Sequence, residues 1–141
     1  MKVVNAKTEA QLQEAFNIRK TVFVEEQKVP YELEIDEFEN ASDHFVLYSE
    51  GNPIGAGRFR VLDGKGKIER ICVLSTNRGS GAGKILMEAI ERYAQEKGIG
   101  TLKLNAQTYA IPFYEKLGYS VVSDEFLDAG IPHKTMEKNI T

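Results

Sequence analysis

The sequence predicts an α/β (α+β) fold, in which a central mixed and mostly antiparallel sheet of about seven strands is flanked by about four helices. Two observations predict it. Strand-like segments outnumber helical ones, and most of them follow one another through tight turns, as antiparallel strands do. A strand, a helix and a strand in succession, residues 67–105, predict one parallel pair with a right-handed crossover. Because no repeat or linker divides the chain, we expect one domain over residues 1–141.

The N-terminal part alternates between strand and helix. "KVVNA" has the pattern of a short strand, and Thr8 with Gln11 forms a capping box for a first helix that should end near Gln27. Pro30 stops this helix, because proline cannot continue the helical hydrogen bonding. The acidic stretch "YELEIDEFENASD" that follows is expected to form a short second helix or an ordered loop.

The middle of the chain is predicted to be an antiparallel meander followed by a long helix. The strands of the meander are "HFVLYSE", "IGAGRFRVL" and "KIERICVL", and its turns are "GNP" and "DGKG". A glycine-rich loop then leads to a helix that should stop at Lys97–Gly98. The apolar face of this helix comprises Ile85, Leu86, Ala89, Ile90, Tyr93 and Ala94.

The C-terminal part returns to strands. "TLKLNA" is a predicted strand, and "YAIPFYEKLG" is a predicted short helix that Gly118 ends. "YSVVSDEFLDAG" and "HKTMEKNI" are predicted to form a closing pair of strands around the turn Asp128–Gly130.

Composition argues against several classes of protein. A single cysteine, Cys72, rules out an internal disulfide, and no segment has the long apolar run of a signal peptide or membrane span. We therefore expect a cytoplasmic protein without a membrane partner. The net charge of -3 and the pI near 5.5 argue against a nucleic acid partner. His44, His133 and Cys72 are too scattered for a metal site to be expected.

The loop "NRGSGAGK", residues 77–84, has the physical character of an anion site. Backbone amides at a helix start lack intrahelical acceptors and lie at the positive end of the helix dipole, which suits phosphate. A P-loop would need glycine at position 78 and Ser or Thr at position 85, and a Rossmann motif would need glycine at position 84. None of these is present. Taken alone, the loop could also be a tight turn between a strand and a helix.

Two motifs of this chain resemble those of the GNAT N-acetyltransferases. "ERICVLSTNRGSGAGKILMEAIERY" resembles their acetyl-CoA motif, in which Arg or Gln precedes two spaced small residues, here Arg78, Gly81 and Gly83. "AIPFYEKLGY" resembles their second hallmark, and "RKTVFVEEQKVPYELEID" with "GIPHKTM" resembles a small bacterial subgroup akin to ElaA. The resemblance covers nearly the whole chain. It implies the GNAT fold, acetyl-CoA as cosubstrate and N-acetyl transfer.

The resemblance also implies which residues hold acetyl-CoA. The glycine loop would wrap the pyrophosphate, and the strand "ICV" would pair with the pantetheine arm. Gln107 replaces an Asn common in relatives, so the pantetheine contact is expected to have an altered geometry. The implied cosubstrate-binding residues are Ile71, Cys72, Val73, Arg78, Gly79, Ser80, Gly81, Ala82, Gly83, Lys84, Gln107, Ala110, Phe113 and Tyr114.

Tyr114 is the implied catalytic acid, which would protonate the departing thiolate; the alternative is a core aromatic residue. The oxyanion donor would be the backbone amide of Ile71, Cys72 or Val73. The thiol of Cys72 is expected to be a small buried group and no nucleophile.

The general base is not assigned by the resemblance, because Leu102 occupies the position of the carboxylate that some relatives use. Glu69, Glu26 and His44 are the candidates. Each has a structural alternative: an arginine partner for Glu69, a solvated helix end for Glu26 and a strand-edge position for His44. His133 could border the acceptor pocket.

The acceptor is expected to be a small amine or a peptide amine. An acidic segment near the predicted acceptor cleft could steer a cationic amine, or it could be an ordinary solvated face. A CoA-binding sensor without turnover and a non-catalytic interaction domain are the alternative functions, and a homodimer is possible. The acidic residues are Glu25, Glu26, Glu32, Glu34, Asp36, Glu37 and Glu39.

Overall fold

The computed structural model describes all 141 residues and contains one eight-stranded sheet. Its order is β1-β2-β3-β4-β5-β8-β6, with β7 also paired to β8, and only β4 and β5 run parallel. The predicted mixed and mostly antiparallel sheet is confirmed. The strands are β1 (Lys2–Asn5), β2 (Asp43–Ser49), β3 (Asn52–Leu62), β4 (Lys65–Val73), β5 (Thr101–Gln107), β6 (Ser120–Val121), β7 (Phe126–Asp128) and β8 (Ile131–Asn139).

The eighth strand arises because one predicted strand is divided. Val121 pairs with Met136 and Phe126 pairs with His133, so residues 122–125 face only residues 134–135. The surplus residues leave the ladder, and the Thr135 amide donates to the Ser123 hydroxyl instead, at 2.8 Å. The segment therefore forms β6 and β7 where the sequence predicted one strand.

The helices form where the local signals place them. They are α1 (Glu9–Arg19), α2 (Tyr31–Glu34), α3 (Ala82–Glu96) and α4 (Ile111–Lys116), and a π-helical segment, Lys20–Glu26, continues α1. The capping box is present: the Gln11 amide donates to Thr8 Oγ1 at 3.1 Å, and the Thr8 amide donates to Gln11 Oε1 at 3.3 Å. No helix combines the length and apolar character needed to cross a bilayer.

The predicted turns between antiparallel strands are confirmed. Glu50–Gly51, Asp63–Gly64 and Ala129–Gly130 each have two successive positive φ angles, 52° and 81°, 52° and 77°, and 52° and 76°. Two such residues form the tight turn whose twist matches that of the flanking strands. Glycine occupies the second position of each turn, where the φ angle of 76° to 81° carries no steric penalty for a residue without a Cβ atom.

Two apolar clusters cover the two faces of the sheet. The larger one includes Leu86, Met87, Ile90 and Ala94 of α3, all fully buried, and the smaller one includes Ala15, Ile18 and Val22 of the first helical stretch. Successive residues of β2 enter different clusters, because side chains alternate along a strand. The core is therefore a sheet between two helical layers, and β4 contributes buried residues to both of them, whereas the buried apolar residues of β5 all belong to the larger cluster.

The parallel pair β4 and β5 separates part of the way along. Pairing covers only three positions and ends where Ile68 faces Leu104. Immediately beyond, Arg70 has a φ of 58° within a bulge that places residues 70–71 opposite residue 57 of β3. A bulge bends the strand that carries it. The remainder of β4 therefore diverges from β5 and leaves both facing edges open.

Candidate functional site

A cavity of about 350 Å³ lies in the opening between β4 and β5. Residues 67–71 of β4 and 104–107 of β5 form its two walls. Side chains of the first two helical segments and of the β7–β8 hairpin complete it, as do Tyr109, Ala110 and Tyr114 beside the start of α4. The predicted residues Ile71, Gln107, Ala110 and Tyr114 are thus brought together.

The glycine loop presents a run of unbonded amides. The amides of residues 79–84 donate no hydrogen bond within the chain, and the Ile85 amide is the first to bond, to the Gly81 carbonyl at 3.1 Å. Gly79 and Gly81 have φ angles of 79° and 83°, a conformation that turns the backbone without a side chain in the way. These amides precede a helix of 15 residues, whose dipole favours an anion.

Gly83 is required for a different reason, which is close packing. A Cβ atom at this position would lie 3.1 Å from the Phe113 ring. Glycine therefore allows α4 to rest against the start of α3, and Phe113 connects the loop to the neighbouring Tyr114. Phe113 itself does not line the cavity.

The Arg78 side chain joins the loop to two other elements. Its Nε donates to the Val73 carbonyl at 3.0 Å, and its two terminal nitrogens donate to both oxygens of Glu26, at 2.6 and 2.7 Å. The hydrogen bonds from Arg78 hold the pKa of the Glu26 carboxyl below its ordinary value. The proposal of Glu26 as general base is therefore wrong on two grounds: its oxygens are occupied and it does not line the cavity.

Tyr114 lines the cavity, and its hydroxyl makes no hydrogen bond within the chain. Its ring packs edge-on against Phe113 and Tyr119, at centroid distances of 5.0 and 6.0 Å. Burial raises the pKa of the phenol, so the hydroxyl is protonated near neutral pH. The side chain is thus held by aromatic packing while its proton stays available.

The three candidate oxyanion donors on β4 differ in direction. The Leu74 amide donates to the Ile54 carbonyl at 2.8 Å, and Cys72 pairs with Ala56. Because neighbouring residues of a strand present their amides to opposite edges, the Cys72 amide points to β3 and the Val73 amide points away from it. Of the three alternatives, Cys72 is therefore the one whose amide is directed into the sheet and away from a ligand.

The Cys72 thiol is buried, as expected. Its Sγ lies 3.8 Å from the Ala56 carbonyl, and burial raises the pKa of the thiol to about 12. A protonated, enclosed thiol does not act as a nucleophile.

Glu69 lines the cavity but is held by two arginines. Its Oε1 accepts hydrogen bonds from Arg58 Nη2 at 2.9 Å and from Arg60 Nε at 2.7 Å. Burial raises the pKa of the Glu69 carboxyl, but the hydrogen bonds and charges of the two arginines outweigh this and keep the pKa below its ordinary value. A carboxylate in this state accepts a proton poorly, so Glu69 is a weak general base.

His44 lies outside the cavity. It is buried, its Nε2 lies 2.8 Å from the Glu39 carbonyl, and its ring packs against Phe16 with centroids 5.3 Å apart. Burial lowers the pKa of the imidazole. The structure therefore contradicts His44 as general base, because the ring is buried in the core and does not line the cavity.

The acidic segment is largely neutralised by arginines. Four of its seven carboxylates are paired, which removes most of the charge that could steer a cationic amine. Arg19 and Arg58, both fully buried, are the centre of this ion-pair network. The pairs are Glu26 with Arg78, Glu34 with Arg19, Asp36 with Arg58 and Arg70, and Glu39 with Arg19 and Arg58.

The amide side chains of β5 face the cavity with their own partners. Gln107 Nε2 donates to Gln27 Oε1 at 2.8 Å, and Asn105 Oδ1 accepts from the Thr135 hydroxyl at 2.8 Å. Both residues line the cavity. The Gln107 side-chain oxygen accepts no hydrogen bond within the chain, so it can receive one from a ligand.

His133 lines the cavity opposite Gln107 on the neighbouring strand. Its Nδ1 lies 2.7 Å from the Ile131 carbonyl, and its ring stacks on Phe126. Because a carbonyl can only accept, Nδ1 is the donor of this contact, which selects the tautomer whose unshared pair is on Nε2. The sequence predicted only that His133 could border the pocket; the register of β5 and β8 that places it here is not visible in any local motif.

This chain is similar to known acetyltransferases over nearly its whole length. The family model described as "Acetyltransferase (GNAT) domain" matches residues 5–140. The chain is 56% identical to the Bacillus subtilis (strain 168) protein named "Uncharacterized N-acetyltransferase YjcF", over 99% of this chain and 100% of the other.

Two solved structures share the fold. Escherichia coli ElaA superposes with a TM-score of 0.84 at 24% identity and covers 97% of both chains. An aminoglycoside 6'-N-acetyltransferase complexed with coenzyme A superposes with a TM-score of 0.78 at 16% identity, covering 100% of this chain and 98% of the other. Because the family model and the Bacillus relative both span nearly the whole chain, the protein belongs to the GNAT acetyltransferases and is an acyl-CoA-dependent N-acetyltransferase.

Proposed function

We propose that this protein transfers an acetyl group from acetyl-CoA to a primary amine by direct attack within a ternary complex. The observation that carries the proposal is the run of unbonded amides at residues 79–84, connected through Phe113 to the free hydroxyl of Tyr114. The amides suit the pyrophosphate of the coenzyme. The open edge of β4 and the Gln107 side chain suit its pantetheine arm.

Each group at the site has a role in the proposed reaction. The amine nitrogen attacks the thioester carbon, a C–N bond forms, and the C–S bond breaks. The backbone donors for the developing oxyanion are Ile71, which lines the cavity, and Val73, whose amide points away from β3. Tyr114 gives its proton to the departing sulfur, and the proton of the amine goes to a base.

We assign that base to His133. His133 lines the cavity, and its Nε2 makes no hydrogen bond within the chain, whereas two arginines weaken Glu69 as a base. Hydrogen bonding of Nδ1 to the Ile131 carbonyl fixes the tautomer that accepts at Nε2.

If the glycine loop binds the diphosphate, Gly81→Asp should weaken CoA binding by at least about tenfold, which corresponds to a loss of about 1.4 kcal/mol of binding free energy. The added carboxylate repels the diphosphate among the amides. Isothermal titration calorimetry with CoA measures the change. Gly51→Asp is the matched control, because Gly51 has a φ of 81° and open space around it, like Gly81, but lies in the β2–β3 turn. Equal affinities for both variants and the wild type would exclude the loop as the binding site.

The base assignment predicts that His133→Gln lowers kcat by about 10², the lower end for a general base, because part of the amine can lose its proton to solvent first. The amide keeps a polar group of similar size, and CoA affinity should be unchanged. Steady-state release of free CoA thiol measures kcat, and calorimetry measures the affinity. Wild-type kcat in His133→Gln, or an equal loss of CoA affinity, would contradict the assignment.

A further inference from the structure

Lys67 is a cation that the chain leaves without a hydrogen-bond partner. It lines the cavity, and its side chain is 15% exposed. Nζ donates no hydrogen bond within the chain, and the nearest carboxylate oxygen, Glu69 Oε2, lies 3.9 Å away. An ammonium group has three donors, and a mostly buried one normally uses them.

The charges around Lys67 do not neutralise it. Arg60 and Lys103 add to its positive charge, whereas Glu69 and Asp128 oppose it. Glu69 is shared with two arginines through its other oxygen. Burial lowers the pKa of Lys67, and Glu69 offsets only part of this effect. The wall of the cavity at this point therefore has spare positive charge.

Arg70 adds a second spare donor on the same strand. Its Nε and Nη2 donate to the carbonyls of Glu34 and Leu33 and to Asp36, while Nη1 donates to no group of the chain. Arg70 also lines the cavity. Lys67 Nζ and Arg70 Nη1 are therefore two cationic donors at the cavity that the chain itself does not use.

The position of Lys67 assigns it to the acceptor end of the cavity. Val73, at the end of β4, contacts Arg78 of the glycine loop. Lys67 lies six residues earlier in the strand, roughly 20 Å away at the usual rise of a β-strand, next to the point where β4 still pairs with β5. A coenzyme that enters from the loop reaches Tyr114 and Gln107 before it reaches Lys67.

We propose that the acceptor amine carries an anionic group, a carboxylate or a phosphate, which binds Lys67 with help from Arg70. This inference rests on the proposed acetyl transfer. It differs from the idea that the acidic segment steers a cationic amine, because four carboxylates of that segment are paired with arginines, while Lys67 Nζ and Arg70 Nη1 donate no hydrogen bond within the chain. The anionic group holds the acceptor at one end and leaves its amine directed to the thioester.

Matched pairs of acceptors test the proposal. The pair lysine and cadaverine differs by a carboxylate. The pairs glucosamine 6-phosphate and glucosamine, and phosphoethanolamine and ethanolamine, each differ by a phosphate. We expect kcat/KM to be about tenfold or more higher for the anionic member of at least one pair, as a charged hydrogen bond provides. Lys67→Met, or Lys67→Gln if the first variant is unstable, should bring that ratio close to one, chiefly through KM.

Lys65→Met is the control variant. Lys65 lies on the same strand, pairs with Glu137 and does not line the cavity, so the ratio should stay at its wild-type value. Preference for the uncharged or cationic members, or an unchanged ratio in both Lys67 variants, would overturn the anionic acceptor and leave the acetyl transfer standing. CoA binding without thiol release for any amine would overturn both proposals.

Discussion

Tyr114→Phe is expected to lower kcat by about 10² to 10⁴, the usual contribution of a positioned acid. The change removes one oxygen and keeps the ring that packs against Phe113 and Tyr119. Because the hydroxyl makes no hydrogen bond within the chain, its removal leaves no buried group without a partner. Stability and CoA affinity should therefore stay near their wild-type values. Thiol release at saturating acetyl-CoA and amine measures kcat.

Tyr119→Phe is the matched control for this experiment. Tyr119 is a neighbouring buried tyrosine whose hydroxyl donates to Glu91 at 2.7 Å, and it does not line the cavity. Its variant should lose some stability, about 1 kcal/mol for one hydrogen bond, and keep its kcat. Wild-type turnover in Tyr114→Phe would instead show that Tyr114 is only a core aromatic residue.

Arg58→Met is expected to lower the free energy of unfolding by about 3–5 kcal/mol, the range for breaking a buried ion pair from one side. The fully buried guanidinium binds Asp36 through two hydrogen bonds, at 2.8 and 2.9 Å, and lies within 3.0 Å of oxygens of Glu39 and Glu69. Its removal leaves these carboxylates without their shared cation in a poorly solvated place. Urea unfolding at neutral pH, with wild type in parallel, measures the loss.

Arg92→Met provides the comparison for Arg58. Arg92 is an exposed residue of α3 that takes part in no ion pair, so its variant should stay within about 0.5 kcal/mol of wild type. Equal stabilities of the two variants would show that the network contributes little to folding. Such a result has precedent, since replacing buried ion pairs by apolar residues is sometimes neutral for stability.

Local signals account for the parts of the fold that the sequence predicted. The capping box needs only Thr8 and Gln11, and each hairpin turn needs two residues with positive φ, such as Asp63–Gly64. The division of the last hairpin could not be predicted in this way. It depends on the hydrogen bond between Ser123 and Thr135, which follows from the register of β8.

The candidate site likewise has parts that local sequence patterns predict and parts that depend on long-range contacts. The glycine loop is contiguous, so its pattern could be found in the sequence. Glu26 and His44 were misassigned because the partners that decide their roles, Arg78 and the Glu39 carbonyl, come from the folded arrangement. His133 reaches the cavity only through its pairing opposite Gln107, and no local pattern indicates that pairing.

Glu69 belongs both to the wall of the cavity and, through Arg58, to the ion-pair network that holds the sheet to the first helices. A mutation here that reshapes acceptor preference would also weaken the folded state. Evolution of a new specificity at this position would then require a compensating change elsewhere, as commonly happens when an active-site residue is also structural. Divergence among related proteins should accordingly occur more freely in the β7–β8 hairpin, which borders the same cavity from an exposed turn.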